Sequence, residues 1–497
     1  MGCGAMLTAG GCSALAAAGD KGGARRAKVA VVFLSNSHGR EMWPYPGFDC
    51  EARERELLAK LRAGCGNVEF LPVTAKQASD AARAVAMKDK VDGYLVYCTT
   101  LFFALNRVLG QVTKLGKPTV LADEVLGGTA LFLTGYSSAA RRNLPVVGVS
   151  SRRDADLVAV ARVFADLTRP GMTPGAFVER CRKACRATFP KPSGTPCKDD
   201  RPALTDVGEC VRRFRAARFV IVGRGKPSTT HDCLGAKGIC VGFDELKALY
   251  DGVDADKAAQ WAGRWSQRAA KVIEVKPDVI RGAGAMYLAT LDLLKRYKAD
   301  TVTINCLGGF SSGKLPAYPC LGFMQLLNDG RQGVCEAMTD DSLSMLMARI
   351  LTGRPGYVSD PAIDTSKREV IYAHCIATTK VFGPSGGENP YHLLTLHNRD
   401  PRGVCAQSFM PEGYMTTSFR TNYRRKEMVL HQARTAGNLV SEYGCRTKLR
   451  AEVRGDIEKL MGQWDRFGWH RVTVYGDVAG PLTEFGKALG LRVIREA

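Results

Sequence analysis

Three residues that could bind a metal ion or move a proton each follow a short apolar segment. They are Glu336, Asp360 and His374, and the segments before them are typical of buried strands or turns. An ionised carboxylate is rarely buried unless it is paired or binds a cation. Hard divalent cations such as Mn²⁺ and Mg²⁺ prefer carboxylate oxygens, often with one imidazole. The sequence therefore predicts that this region supplies half of a metal site.

A helix is predicted between the two carboxylates. Residues 339–341 offer three N-cap candidates, with negative charge at the helix start, and apolar residues then recur at helical spacing. Gly353 is suited to the C′ position that ends a helix. This helix would carry the chain from Glu336 towards Asp360, and its methionines are expected to be core residues.

Length and composition indicate a multidomain globular protein. A chain of 497 residues is too long for one hydrophobic core, which favours two or three domains. The hydrophobic fraction of 45% and the charged fraction of 24% are those of a soluble globular protein. No run of about 18 or more apolar residues occurs, so no membrane span is predicted.

The formal net charge of +21 comes from basic residues that are dispersed along the chain rather than gathered in blocks. A solvated basic surface is one interpretation, and contact with nucleic acid or an anionic ligand is the other. A nucleic-acid binder needs a clustered basic face with aromatic platforms. The dispersed pattern therefore predicts no nucleic-acid partner.

The 17 cysteines lie mostly inside apolar segments, as buried free thiols do. Their odd number and the absence of a Cys-x-x-Cys pair favour a reduced, cytoplasmic chain over a disulfide scaffold. Cys181 and Cys185 are spaced for one helix face, but a zinc site would need two further ligands at matching spacing. Residues 1–27 are expected to lie outside the fold, either as a disordered tail or as a truncated export signal.

Three regions follow this tail. In 28–155, wholly apolar strands alternate with helices, which predicts a parallel sheet with right-handed crossovers, flavodoxin- or Rossmann-like. A second set of the same kind occupies 156–355 and carries Glu336. From 356 to 497 short strands with Gly and Pro punctuation predict an antiparallel barrel or sandwich. The expected fold class is α/β, with two doubly wound parallel-sheet domains and a C-terminal β-rich, barrel-like domain.

Four segments, taken in order, give the chain a family resemblance. They lie at 333–336, 359–361, 373–375 and 469–477, and together they resemble the L-fucose/L-arabinose isomerase-like family. The resemblance spans about 28–497, and the Glu–Asp pair is more similar to the fucose branch than to the arabinose branch. The chain is shorter than the familiar bacterial fucose isomerases, and the sugar-contacting loops match least.

The resemblance implies a Mn²⁺-dependent aldose–ketose isomerase, with Mg²⁺ or Co²⁺ as alternative cations. Glu336 and Asp360 would be metal ligands and also the acid/base pair, which acts through a cis-enediol. His470 would be the third protein ligand, and His374 is expected near the sugar. The family also implies a homotrimer or homohexamer with sites near subunit contacts.

Each of these residues also has a structural interpretation when it is taken alone. Asp360 precedes a proline and could belong to a turn, Glu336 could charge a helix start, and His470 could be a core histidine. A non-catalytic sugar-binding protein, possibly an exported one, is the alternative function. Which sugar is bound and which carboxylate is the base stay open.

Overall fold

The computed structural model describes residues 25–35 and 43–497, so most of the predicted tail at 1–27 lies outside the described residues. The described chain is α/β, with a five-stranded parallel sheet near the start and a large mixed sheet near the end. A second five-stranded sheet lies between them in sequence. In the described part of the chain, no helix combines the length and apolar character needed to cross a bilayer.

The first sheet has the strand order β2-β1-β3-β4-β5, and all its pairings are parallel. This is the flavodoxin-like order. The elements of this layer are β1 (Ala27–Leu34), α1 (Cys50–Gly64), β2 (Val68–Ala75), α2 (Ala81–Val85), β3 (Gly93–Cys98), α3 (Asn106–Thr113), β4 (Thr119–Asp123), α4 (Thr129–Arg141), β5 (Val146–Val149), α5 (Asp154–Ala161) and α6 (Pro174–Thr188).

The apolar run in β1 exists because both faces of this sheet are covered. Val31 and its neighbours on one face pack with Leu57 of α1 and Leu157 of α5. Val32 and its neighbours on the other face pack with Leu109 of α3 and residues of α4. A strand buried on both faces cannot alternate apolar with polar residues, so the run is continuous.

The second sheet has the order β11-β10-β6-β8-β7, in which only the edge strand β7 is antiparallel. Strand β9 leaves this sheet and pairs instead with a strand of the C-terminal region. The elements are α7 (Val207–Ala216), β6 (Arg218–Val222), β7 (Thr230–Cys233), β8 (Ala236–Val241), α8 (Phe243–Asp251), α9 (Ala255–Arg268), β9 (Lys271–Ile273), α10 (Pro277–Tyr297), β10 (Thr301–Ile304), α11 (Cys306–Ser311), α12 (Cys320–Asn328), β11 (Gln332–Cys335) and α13 (Thr339–Thr352).

The C-terminal region is built on a seven-stranded sheet of order β16-β19-β12-β13-β18-β17-β20. Because β16 also pairs with β17, six antiparallel strands form a closed ring, and β20 adds to β17 in parallel. The elements are β12 (Tyr357–Asp364), β13 (Glu369–His374), β14 (Tyr391–Leu396), β15 (Asp400–Ser408), β16 (Met415–Asn422), β17 (Glu427–Asn438), β18 (Thr447–Arg454), α14 (Ile457–Gln463), β19 (Arg471–Tyr475), α15 (Ala479–Ala488) and β20 (Arg492–Arg495).

Both α/β layers pack against this ring. One continuous core joins the first layer to ring residues such as Tyr372, and another joins the second layer to residues such as Val472. The ring therefore holds the two layers in fixed positions, and the space between the three parts is where a site can form.

A buried ion pair fastens β20 to the ring. Arg471 donates to both carboxylate oxygens of Glu496, at 2.8 and 2.6 Å, and His431 Nδ1 lies 2.8 Å from Glu496 Oε1. Burial acts to raise the pKa of Glu496, but Arg471 and His431 outweigh it and lower that pKa from 4.5 to about 2. The side chains of Glu496 and Arg471 are fully buried, so neither charge has water as an alternative partner.

We expect Glu496→Gln to lower the free energy of unfolding by about 3–5 kcal/mol, because it leaves the Arg471 cation buried without its counter-ion. The native pKa is below the unfolded one, so the pair stabilises fully above pH 4.5 and its contribution is lost as the pH falls towards 2. Denaturant unfolding at several pH values measures both effects. Glu427→Gln, which removes the partner of the exposed Arg492, is the matched control and should cost less than about 1 kcal/mol. Equal losses in the two variants would contradict the prediction.

Candidate functional site

A cavity of about 1240 Å³ lies where the three parts meet. The first layer contributes residues around Gly127, the second contributes the start of α11, and the ring contributes Asp360 and His374. The volume is ample for a small polar ligand such as an open-chain sugar. The predicted ligands Glu336 and Asp360 both line this cavity.

Glu336 stands on a sharp corner between β11 and α13. Its φ is +67° and that of Ala337 is +51°, a region that residues other than glycine seldom adopt. The corner is held because Ala337 N–H donates to the Ile304 carbonyl and Met338 N–H donates to Thr303 Oγ1, each at 3.0 Å. Such strain persists only where surrounding contacts enforce it, and it is concentrated at functional sites. The Glu336 side chain is 35% exposed, towards the cavity.

Asp360 lies within β12 rather than in a turn, paired with Ala373 of β13. On the other side of β12, Ser359 pairs with Arg471 of β19, and this antiparallel register brings Asp360 opposite His470, which directly precedes β19. Trp469 Nε1–H donates to Asp360 Oδ1 at 2.6 Å. The strand pairing, not local turn chemistry, therefore fixes where this carboxylate lies.

The structure brings the three predicted ligands together around one atom. His470 Nε2 lies 3.1 Å from Asp360 Oδ1 and 3.8 Å from Glu336 Oε2. The other ring nitrogen, Nδ1, lies 2.7 Å from Asp341 Oδ2. His470 is itself almost completely buried, so its ring is held by these polar contacts and by packing.

Asp341, in the first turn of α13, orients this imidazole. Its carboxylate is fully buried and faces His470 on one side and Arg420, at 3.3 Å, on the other. Burial acts to raise the pKa of Asp341, but the charges of Arg420 and His470 hold it below its ordinary value. The carboxylate is therefore an ionised acceptor, and Nδ1 of His470 carries the hydrogen.

The carboxylates of Asp341 and Asp360 favour a positive charge at the His470 imidazole. Burial acts to lower the pKa of His470, but Asp341 and Asp360 raise it well above the usual histidine value. Burial acts to raise the pKa of Asp360, whereas the hydrogen bond and charge of His470 lower it below its usual value. A metal ion bound at Nε2 would supply the positive charge that these two carboxylates favour.

These residues fit a hard divalent cation. A metal-bound histidine almost always donates its second N–H to a carboxylate, and the Asp341–His470 hydrogen bond has this arrangement. It leaves Nε2 as the ligand atom, facing two carboxylates. Two carboxylates and one imidazole are a donor set that suits Mn²⁺ or Mg²⁺.

His374 lies beside this group but differs in its tautomer. Ligand atoms of Glu336, His374 and His470 lie within 4.8 Å of one another, so geometry alone also permits His374 as a ligand. However, His374 Nδ1 accepts the N–H of Cys375 at 3.0 Å, which assigns the ring hydrogen to Nε2. Among the described residues, this buried Nε2 has no hydrogen-bond partner. The arrangement suits a donor to a ligand oxygen better than a metal ligand.

The sequence did not single out Asp341 or Trp469. Asp341 was expected only as an N-cap candidate, but Met338 occupies the N-cap of α13 and no side chain caps it. Asp341 shares a helix face with the buried Met345 and Ala348. Its spacing from these apolar residues is the feature of the sequence that indicates a carboxylate on the buried side of the helix. The acidic charge at the helix start is confirmed, and Gly353 ends the helix with φ +68° as predicted.

Comparison with known protein-family models gives no match, and comparison with curated proteins gives no significant one. What the chain does is therefore inferred from the residues of the site and from their surroundings. The decisive surroundings are a shared cavity, an oriented imidazole and two carboxylates that approach it.

We expect Asp341→Asn to weaken Mn²⁺ binding by about 10- to 100-fold, because the neutral amide no longer fixes and polarises His470. Isothermal titration calorimetry of the full chain with Mn²⁺ measures the change. Asp340→Asn is the matched control, since Asp340 accepts the Tyr423 N–H and faces Arg420 without touching His470. Comparable weakening in both variants would show that the effect is one of helix charge and not of imidazole orientation.

Proposed function

We propose that this chain is a metal-dependent aldose–ketose isomerase of carbohydrate metabolism, similar to the L-fucose/L-arabinose isomerase-like family. The observation that carries the proposal is the approach of Glu336 and Asp360 to an imidazole nitrogen that Asp341 leaves free. A binding protein for sugars would need a cavity and hydrogen-bonding groups. It would not need two carboxylates of the cavity wall to approach one buried, oriented histidine.

In this proposal Glu336, Asp360 and His470 hold Mn²⁺, with Mg²⁺ or Co²⁺ as alternatives. When it is bound, the cation supplies Lewis acidity and orients the two oxygens of the open-chain sugar. His470 Nε2 already lies 3.1 Å from an Asp360 oxygen and 3.8 Å from a Glu336 oxygen, and a cation bound there would attract both carboxylates.

The chain's own carboxylates perform the proton transfers. Conversion of an aldose to a ketose moves a proton from C2 to C1 and moves another between the two oxygens, through a cis-enediol. One carboxylate removes the carbon-bound proton and returns it to the neighbouring carbon, while the other exchanges protons with the oxygens. Glu336 and Asp360 share these roles, and such positioning typically contributes about 10²–10⁴-fold in rate.

His374 would donate its Nε2 hydrogen to a sugar oxygen. Its unpaired, buried donor supports this role, because a buried polar atom without a partner is unfavourable unless a ligand supplies one. The apolar walls of the cavity, including Trp43 and Phe103, would exclude water from the reacting atoms. The substrate class proposed is a fucose- or arabinose-like sugar.

The assembly and the domain division belong to the same proposal. The chain would form a homotrimer or homohexamer in the cytoplasm, with domains at 28–155, 156–355 and 356–497, of which the first two are doubly wound. Two large apolar side chains at the cavity, Phe103 and Leu307, are 68% and 45% exposed. Exposed apolar groups beside a ligand cavity support a neighbouring subunit that covers its mouth.

Glu336→Gln should abolish Mn²⁺-dependent ketose formation, with a loss of about 10²–10⁴-fold or more, because it removes both a ligand and a proton-transfer group. The assay is a panel of fucose, arabinose and related aldoses, with ketose formation and deuterium exchange at C2 as two readouts. Glu484→Gln, on the exposed side of α15, is the control and should behave as the unaltered chain does. Full activity in Glu336→Gln, or no turnover of any sugar by the unaltered chain with Mn²⁺, would refute the assignment.

His374→Gln separates the two possible ligand sets. We expect it to lower kcat/KM for the sugar while the affinity for Mn²⁺ is unchanged, because His374 is assigned to the sugar and not to the cation. His470→Gln is the comparison and should lose Mn²⁺ binding. The two measurements are steady-state kinetics and calorimetric titration with Mn²⁺. A matching loss of Mn²⁺ affinity in His374→Gln would make His374 a ligand and contradict the assignment.

A further inference from the structure

A second group of potential ligands lies in the same cavity and is not used by the proposed isomerase chemistry. Cys375 directly follows β13, His397 directly follows β14, and Cys445 lies two residues before β18. The donor atoms of the three side chains lie within 4.8 Å of one another, and Cys375 Sγ is 3.7 Å from His397 Nδ1. All three residues line the cavity.

The spacing of these atoms matches the demands of a tetrahedral ion. Zn²⁺ bonds of about 2.0–2.3 Å to nitrogen and sulfur place neighbouring ligand atoms roughly 3.5–3.8 Å apart. The Cys375–His397 separation is already in this range. Two cysteines and one histidine would leave one of four positions open, and the three residues all line the cavity.

Ordinary core packing does not account for this group. Every cysteine that the structure describes is a free thiol, and most pack as small apolar residues, as Cys181 and Cys185 do in α6. Cys375 and Cys445 differ, because their sulfur atoms and a ring nitrogen of His397 all lie within 4.8 Å of one another. A thiolate is the form of cysteine that binds metal ions.

Cys405, although it touches Cys375, is less suited to be a fourth ligand. Its sulfur lies 3.9 Å from the Thr395 carbonyl oxygen, and it is not among the donor atoms that lie within 4.8 Å of one another. The donor set is therefore three residues that come from the ends of three different strands.

We propose that Cys375, His397 and Cys445 bind a thiophilic divalent cation, Zn²⁺, with its fourth position open to a ligand in the cavity. The group is chemically distinct from Glu336, Asp360 and His470, because thiolate and imidazole favour Zn²⁺ whereas carboxylates favour Mn²⁺ or Mg²⁺. Each neutral thiol that binds the ion releases its proton to solvent. The open position would take an oxygen or sulfur donor of a bound molecule.

The test uses the full chain, kept reduced and freed of metal by dialysis against a chelator. Titration with Co²⁺ should produce the near-ultraviolet absorption of a thiolate–cobalt bond with a stoichiometry of one ion per chain, and Zn²⁺ should abolish it. Cys375→Ser and Cys445→Ser should lose this absorption. His397→Ala should weaken Co²⁺ binding by about 100-fold or more. Circular dichroism and thermal unfolding establish that each variant is folded.

Two controls make the result specific. Cys320→Ser removes another buried thiol of the cavity and should leave the absorption intact. Glu336→Gln should also retain it, which separates this inference from the fate of the proposed isomerase site. Any of three results would overturn the proposal. They are no absorption in the unaltered chain, absorption that persists in folded Cys375→Ser and Cys445→Ser, and absorption that is lost in Cys320→Ser.

Discussion

The hydrogen bond between His470 and Asp341 is the interaction on which the candidate site depends. It decides which imidazole nitrogen faces Glu336 and Asp360, and without it the ring could present either one. The Asp341 carboxylate is fully buried, where an unpaired charge would cost several kcal/mol, and the charges of Arg420 and His470 hold its pKa below the ordinary value. The orientation of one ring is thus tied to a buried network that joins α13, β16 and β19.

Much of the fold followed from the sequence because the signals were local. The apolar run of β1 predicted a strand covered on both faces, and Gly353 predicted the end of α13. The predicted residues Glu336, Asp360 and His470 do come together. Their proximity could be anticipated only through the order and spacing of several segments, since each residue alone has an ordinary structural explanation.

What the sequence could not give depends on pairings between distant segments. The ring is closed by β16 with β17, and the register of β12 with β19 is what brings Asp360 opposite His470. The thiols of Cys375 and Cys445 converge because β13 and β18 are neighbours, although the two positions are 70 apart in the sequence. The position of His397 beside the Cys375 thiol depends on the packing of β14, which no local feature of the sequence indicates.

The corner at Glu336 lies outside the ring that carries Asp360 and His470. A closed ring gives each of its strands two partners, and the pairing of β12 with β19 holds those two residues opposite each other. Glu336 belongs instead to the second α/β layer, and an ion shared by all three would cross-link layer and ring. Binding of the ion would therefore raise the free energy of unfolding of the whole molecule. Once the free ion concentration exceeds the dissociation constant, this free energy rises with the logarithm of that concentration.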